Sequence, residues 1–191
     1  MLDYIIHLDK SLFLFLNGLH CAFLDPIMVF ITGDFTWTPL YVVIIFFFFW
    51  KRDWRWGLLA LAAVLLTFAL TDQLSVHLFK NTIQRLRPCH EISLSGMMRA
   101  LENCGGQFSF ISSHAANTFG LAAITSLIFA KRWYACSIFS WAAIVSYSRI
   151  YVGKHYPLDI ICGAIFGILA GYCIWKLFQM ADNKMYKYVN Q

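Results

Sequence analysis

The segment Ser148–Asp159, SRIYVGKHYPLD, joins two apolar runs and places Arg149, Lys154, His155 and Asp159 between them. Ionisable groups are otherwise scarce in this part of the chain, so the runs on either side read as helices and the segment as the turn between them. The preceding run, Trp133–Tyr151, and the following one, Pro157–Leu177, are close to the roughly 20 residues that a helix needs to cross a bilayer core. Polar groups gathered at such a turn mark the water boundary, where they carry a structural or a chemical role.

The rest of the chain agrees with that reading. Hydrophobic residues make up 60% of the 191 positions and charged residues only 13%, against roughly a quarter in soluble domains. Three more apolar segments, Trp37–Trp50, Trp56–Phe79 and Ala115–Ala130, bring the expected number of membrane helices to five. The first of them has room to begin near Pro26, with a bend at Gly33 or Pro39. Asp3–Leu19 mixes Asp9, Lys10 and Asn17 with Leu and Phe, and predicts an amphipathic helix lying in the interface. A sixth span over Tyr4–Ile31 is the alternative, made poor by His7, Asp9, Lys10, Asn17, His20 and Asp25. The expected fold is therefore all-α and polytopic, a single domain. Residues 1–24 form the interfacial helix, 25–178 the transmembrane bundle with an outer loop at 80–113, and 179–191 a cytoplasmic tail. The N-terminus, MLDYIIHLDK, opens on an acid and lacks a small-residue cleavage site, so insertion through the chain's own helices is expected.

Net charge is +5, but the basic residues sit in short clusters between apolar runs, which speaks for membrane topology and against nucleic acid as a partner. Eight fall on one side (Lys51, Arg52, Arg55, Lys131, Arg132, Lys176, Lys184, Lys187) and seven on the other (Lys10, Lys80, Arg85, Arg87, Arg99, Arg149, Lys154). If Lys80, Arg87 and Arg149 serve chemistry, the balance is eight against four, which makes the first side cytoplasmic. Gly163, Gly167 and Gly171 recur every four residues on the last helix and let a neighbouring helix approach closely. Intramolecular packing is the plainer reading of that stripe, a dimer interface the other.

Three stretches then converge on the outer side: KNTIQRLRP from Lys80, SSHAANTFG from Ser112, and SRIYVGKHYPLD. Lys80 and Arg87 are two helical turns apart, so a continued helix would put them on one face. With Arg149 they make three cations near hydrocarbon, costing about 2.5–3.5 kcal/mol each on insertion scales. A phosphoryl dianion would offset that cost, and Arg offers a fork matched to its oxygens. Ser112 and Ser113, at a helix N-terminus, add hydroxyl and backbone donors. His155 precedes Asp159 by four residues; a carboxylate on Nδ1–H fixes the tautomer and leaves Nε2 to attack. His114 suits a proton donor to the leaving group. Together these groups describe phosphoryl transfer through a phosphohistidine, with no cofactor and no metal.

The patterns K-x6-RP, SSH and SR-x5-H-x3-D resemble the signature of the type 2 phosphatidic acid phosphatases, whose superfamily includes bacterial membrane lipid phosphatases and vanadium haloperoxidases. Lys80, Arg87 and Pro88 match the first motif, and Ser148, Arg149, His155 and Asp159 the third. The second motif, P-S-G-H in the family, is met by Ser112 and His114, while Ile111 and Ser113 replace the Pro and the Gly. Ser113 either narrows the phosphate pocket or adds a hydroxyl donor. The resemblance implies His155 as nucleophile, Asp159 as its orienting partner, His114 as general acid, and Lys80, Arg87, Ser112 and Arg149 as phosphate ligands.

Cys89 and Cys104 both lie in the outer loop, where an oxidising compartment would allow a disulfide beside Arg87. No C-x2-C spacing suggests zinc. Met97, Met98 and Leu101 of the same loop either dip into lipid or pack as a plain amphipathic turn. The expected enzyme is a metal-independent lipid phosphatase of the bacterial inner membrane, facing the periplasm, with the bilayer and a lipid phosphate as its partners and no obligatory protein partner. Undecaprenyl diphosphate is the favoured substrate, ahead of phosphatidylglycerophosphate, phosphatidic acid and lipid A. A non-catalytic carrier of lipid phosphates is the rival from another class, and it leaves the His155–Asp159 spacing unexplained.

Overall fold

Local chemistry sets the helix ends in the computed structural model, which describes residues 1–189. Asp53 begins α4 (Trp54–Leu74) by accepting the N–H groups of Arg55 and Trp56 at 2.9 and 3.0 Å. The chain continues through a π-helical turn, Ser75–Lys80, and a last turn, α5 (Asn81–Ile83). Ser112 caps α6 (Ser113–Phe129), which closes on Ala130 in the left-handed region. Helix α7 (Arg132–Tyr151) follows at once, and Pro157 opens α8 (Pro157–Val189) at a position where its missing N–H costs nothing. Ahead of these come α1 (Leu2–Gly18), α2 (Leu24–Thr32) and α3 (Thr38–Lys51). Among the described residues there is no strand, only an isolated antiparallel bridge between Leu86 and Phe108.

Three expectations about helix boundaries change. The first apolar segment breaks at Gly33, whose extended backbone separates α2 from α3. Thr36 Oγ1 and Trp37 Nε1 then take up the carbonyls of Phe30 and Ile31 that α2 leaves open. The helix carrying Lys80 does not run on to Arg87, because Gln84 turns left-handed (φ 52°) directly after Ile83. Arg87 reaches the site from a loop instead. The 179–191 segment, expected as a tail, is helical as far as Val189. Of all the helices, Trp54–Ile83 and Pro157–Tyr186 are long and apolar enough to cross a membrane by length and composition, and Thr38–Trp50 is a shorter apolar one.

Helix α6 lies at the centre, between α4, α7 and α8. Many of its buried positions are small, among them Ala115, Ala116, Gly120, Ala122 and Ala123. Facing them is the glycine stripe of α8. A methyl group on Gly163 would stand 2.6 Å from the carbonyl oxygen of Ser112, and one on Gly167 would overlap that of Ala116. The stripe thus serves packing within the chain. Helix α1 inverts the usual amphipathic arrangement. Asp9, Phe13 and Asn17, four residues apart, are buried against the bundle, while Tyr4, Leu8, Leu12, Phe15 and Leu19 are exposed. Asn17 Nδ2 donates to the carbonyls of Arg99, Ile150 and Tyr151 at 3.0, 3.2 and 2.8 Å, fastening α1 to the end of α7.

Gly167→Ala is expected to destabilise the protein by about 1–3 kcal/mol, the usual cost of overpacking, although Ala is the better helix former. Thermal unfolding in detergent checks this: a variant as stable as the wild type would mean that α6 and α8 do not approach so closely.

Candidate active site

Five pieces of chain meet at one end of the bundle. The π turn after α4 presents Lys80; the loop beyond α5 brings Arg87; α6 starts with Ser113 and His114; α7 ends with Arg149; and the turn before α8 carries His155. These six residues line a cavity of about 450 Å³, closed on its far side by Thr32, Asp34 and Trp37 of the α2–α3 connection. Arg87, His114 and Arg149 also line an outer vestibule of about 670 Å³ with Glu102 and Lys154. The expected residues are thus brought together, with two exceptions. Ser112 is fully buried behind the cavity, its hydroxyl spent on the Ala115 N–H and its own N–H on the Asp159 carbonyl (3.1 Å). Asp159 is also fully buried, as a support to His155 and not as part of the wall.

The seven basic residues at this end divide cleanly. Lys10 pairs with Glu91, Arg85 with Asp9 and Asp159, Arg99 with Asp25, and Lys154 with Glu102. Among the described residues Lys80, Arg87 and Arg149 have no carboxylate partner, and all three line the cavity. Their hydrogen bonds go to neutral oxygens: Lys80 Nζ to Ser113 Oγ at 2.8 Å, Arg87 to the carbonyls of Phe108 and Cys104, Arg149 to Thr32 Oγ1. The Arg149 Nε is buried without a partner. Charges drawn out of water need compensation, and three cations without an ion-pair partner, around one cavity whose wall also carries Asp34 and Asp72, make a site suited to an anion.

Ser113, which replaces the family's Gly, bonds Ser75 Oγ at 2.6 Å as well as Lys80, so it adds a hydroxyl to the cavity. His155 Nδ1 lies 3.5 Å from Asp159 Oδ2 and makes no closer hydrogen bond. Burial, and after it the cations of Arg149, Arg87 and Lys80, push the His155 imidazole well below its ordinary pKa. That keeps it neutral, the form a nucleophile needs. His114 Nε2 meets Asp34 Oδ1 at 3.3 Å, and the carboxylate is largely exposed.

Several members of this arrangement were not visible in the sequence reading. Asp34 comes from a connection 80 positions before His114, and Arg85, taken there as one more outer-side cation, braces Asp159 at 3.0 Å. Its place between Lys80 and Arg87 was the one available signal. Asp72 also stands on the cavity wall. Of the loop residues read either as dipping into lipid or as packing, Met98 packs against the cluster of Phe13, Leu94, Ile150 and Tyr156, whereas Met97 is exposed. Cys89 and Cys104 are joined as a disulfide, with Cα atoms 6.1 Å apart. Together with His90 they are the one group of metal-type donors found among the described residues, and both sulfurs are committed to each other.

An anion cradle around a buried His–Asp pair, at one end of an apolar helix bundle, defines a phosphoryl-transfer enzyme of the membrane. Comparison with known proteins gives the family. The model described as "PAP2 superfamily" matches residues 56–182. A lipid A 4′-phosphatase of Porphyromonas gingivalis is 35% identical over 96% of this chain and 78% of its own length. An undecaprenyl-diphosphatase of Sulfolobus acidocaldarius is 28% identical over 85% of this chain and 74% of its own. The crystal structure of Aquifex aeolicus LpxE superposes with a TM-score of 0.66 at 26% identity, covering 88% of this chain and 95% of that one. The chain belongs to the PAP2 superfamily and is a membrane lipid phosphatase, a hydrolase of phosphoric monoesters.

The depressed basicity of His155 has a measurable sign. Its imidazole, followed by ¹⁵N NMR, is expected to titrate below the ordinary value of about 6.5. Arg149→Gln removes the cation that presses hardest on it and should move the titration upward. A downward or absent shift would place Arg149 away from His155.

Proposed function

We propose that this protein removes a phosphate monoester from a lipid A-type glycolipid at the outer face of the bacterial inner membrane. The observation that carries the reading is the set of three unpaired cations, Lys80, Arg87 and Arg149, around His155. The lipid A 4′-phosphatase relative supports this substrate over undecaprenyl diphosphate, whose hydrolase is the more distant likeness. A second, apolar cavity of about 200 Å³ shares Tyr41, Phe68, Asn117 and Thr118 with the phosphate cavity and supports an acylated substrate.

In this reading Lys80, Arg87 and Arg149 hold the phosphoryl oxygens, with the Ser113 hydroxyl beside them, and Ser112 fixes the α6 start that presents His114. His155 Nε2 attacks phosphorus while the P–O bond to the sugar breaks, and His114 gives the leaving oxygen its proton. Asp159 holds the imidazole and balances its positive charge. Water then attacks the phosphohistidine, His114 takes its proton, and inorganic phosphate leaves as His155 is restored. The three cations supply the charge stabilisation that such a transition state needs.

The topology completes the proposal. Helices α3, α4, α6, α7 and α8 span the bilayer, the outer loop covers 80–113, and α1 lies in the interface. The eight basic residues at the far end make that side cytoplasmic, and the Cys89–Cys104 pair fits an oxidising periplasm.

Phosphate release from lipid A, undecaprenyl diphosphate, phosphatidylglycerophosphate and phosphatidic acid, measured in detergent with EDTA, tests the reading. Lipid A is expected to be cleaved best. His155→Ala should abolish release and His114→Ala should slow it by about 10²–10⁴-fold. A folded wild type that binds these lipids and releases no phosphate would instead be a carrier, and preferential cleavage of undecaprenyl diphosphate would replace the substrate.

A further inference from the structure

Arg85 lies between two carboxylates. Its Nη1 donates to Asp159 Oδ1 at 3.0 Å and its Nη2 to Asp9 Oδ2 at 2.6 Å, and its guanidinium rests 3.9 Å from the centre of the Tyr156 ring. Each carboxylate is held a second time at the start of α8. Asp9 Oδ1 accepts the Leu158 N–H at 2.8 Å, and Asp159 Oδ2 accepts the Tyr156 N–H at 2.9 Å. Phe13, one turn beyond Asp9, packs edge-on against Tyr156 at 5.4 Å. A residue of α1 therefore caps the first turn of α8, the turn on which Asp159 stands.

We infer that Asp9 and Arg85 are positioning residues for the His155–Asp159 pair, which makes the N-terminal helix a working part of the active site. The inference rests on His155 being the nucleophile. A lone guanidinium against Asp159 would neutralise it and weaken its hold on the imidazole. Asp9 shares that cation, so the three groups together keep one negative charge beside His155. The two arms of the Arg85 fork reach one carboxylate each, and the arm on Asp159 Oδ1 together with the Tyr156 N–H on Oδ2 orients that carboxylate, a split that Lys, as a point charge, would not reproduce. Both carboxylates are buried, so neither exchanges this contact for water. Facing His155 from the surrounding elements are Lys80, Arg87, His114 and Arg149, besides Asp159 itself.

The two residues can be told apart by sign. Asp9→Asn leaves an oxygen for the Leu158 N–H but gives Arg85 wholly to Asp159, so the acid limb of activity, and the His155 titration with it, should move to lower pH. Arg85→Gln frees the Asp159 charge, and both should move to higher pH. Each variant should lose about 10–100-fold in kcat, the usual cost of removing an outer-shell partner, with KM little changed. Arg85→Lys should restore the position of the limb but not kcat.

The experiment uses the full chain in detergent. The His155 ¹⁵N signal, identified with His155→Ala, is titrated in each variant, and phosphate release is measured on the best-cleaved lipid. Opposite shifts with a loss confined to kcat are the expected result. Unchanged kcat, or shifts of the same direction with KM rising, would reduce the cluster to structural support and overturn the inference. If a variant fails to fold, Arg85→Lys and Asp9→Glu decide instead: a limb left in place with kcat lowered supports the positioning role, and an unchanged kcat overturns it. Should the wild type release no phosphate, the proposed reaction fails, while the opposite NMR shifts still decide the positioning role.

Discussion

The close contact between α6 and α8 is the constraint on which the site depends. Ser112 and His114 stand at the start of one helix, His155 and Asp159 at the start of the other, and the Ser112 N–H is bound to the Asp159 carbonyl. Two helix starts come this near only where no side chains separate them. Gly163, Gly167 and Gly171 on α8 against Ala116 and Gly120 on α6 meet that condition. Dispersion between closely packed backbones replaces the hydrophobic effect where lipid surrounds the helices. The chemistry and the packing are therefore parts of one arrangement: the stripe that holds the helices together also sets the distance between the two histidines.

Around that axis the site is organised by charge. Near an apolar bundle each cation is costly, and four of the seven at this end are matched with carboxylates from other parts of the chain. The three that are not matched surround the cavity. Burial and then the same groups keep His155 neutral, so in the proposed reaction the feature that draws a phosphate in also readies the nucleophile. When the dianion arrives it screens those cations, and the imidazolium character that develops on His155 is no longer opposed.

Much of this was legible in the sequence, and the legible part was local. Spacing within one helix or turn, as in His155 and Asp159 or the glycines of α8, carries its geometry with it. The helical bundle and the convergence of Lys80, Arg87, His114 and Arg149 followed from apolar runs and their ends. What escaped was contact between distant segments. Asp34 meets His114, and Asp9 meets Arg85, only because the bundle folds them together. Arg87 was expected on a helix face, and the left-handed turn at Gln84 moved it to a loop, a change that no periodicity announces. Helix α1 looked amphipathic by composition, yet Asp9 and Asn17 point into the protein beside Phe13 while most of its apolar residues point outward.

Helix α3 adds a last consequence. Its Thr38–Lys51 span rises roughly 21 Å at 1.5 Å per residue, well short of a hydrocarbon core about 30 Å thick. Tyr41, Ile44, Ile45 and Phe48 of this helix line the apolar cavity beside the cradle. As one of the proposed spans, a helix that short would be matched by thinner lipid beside it, by snorkelling flanks or by association with other helices. A layer thinned there would bring the head-group plane down beside that cavity, and with it a phosphate nearer to Lys80 and Arg149.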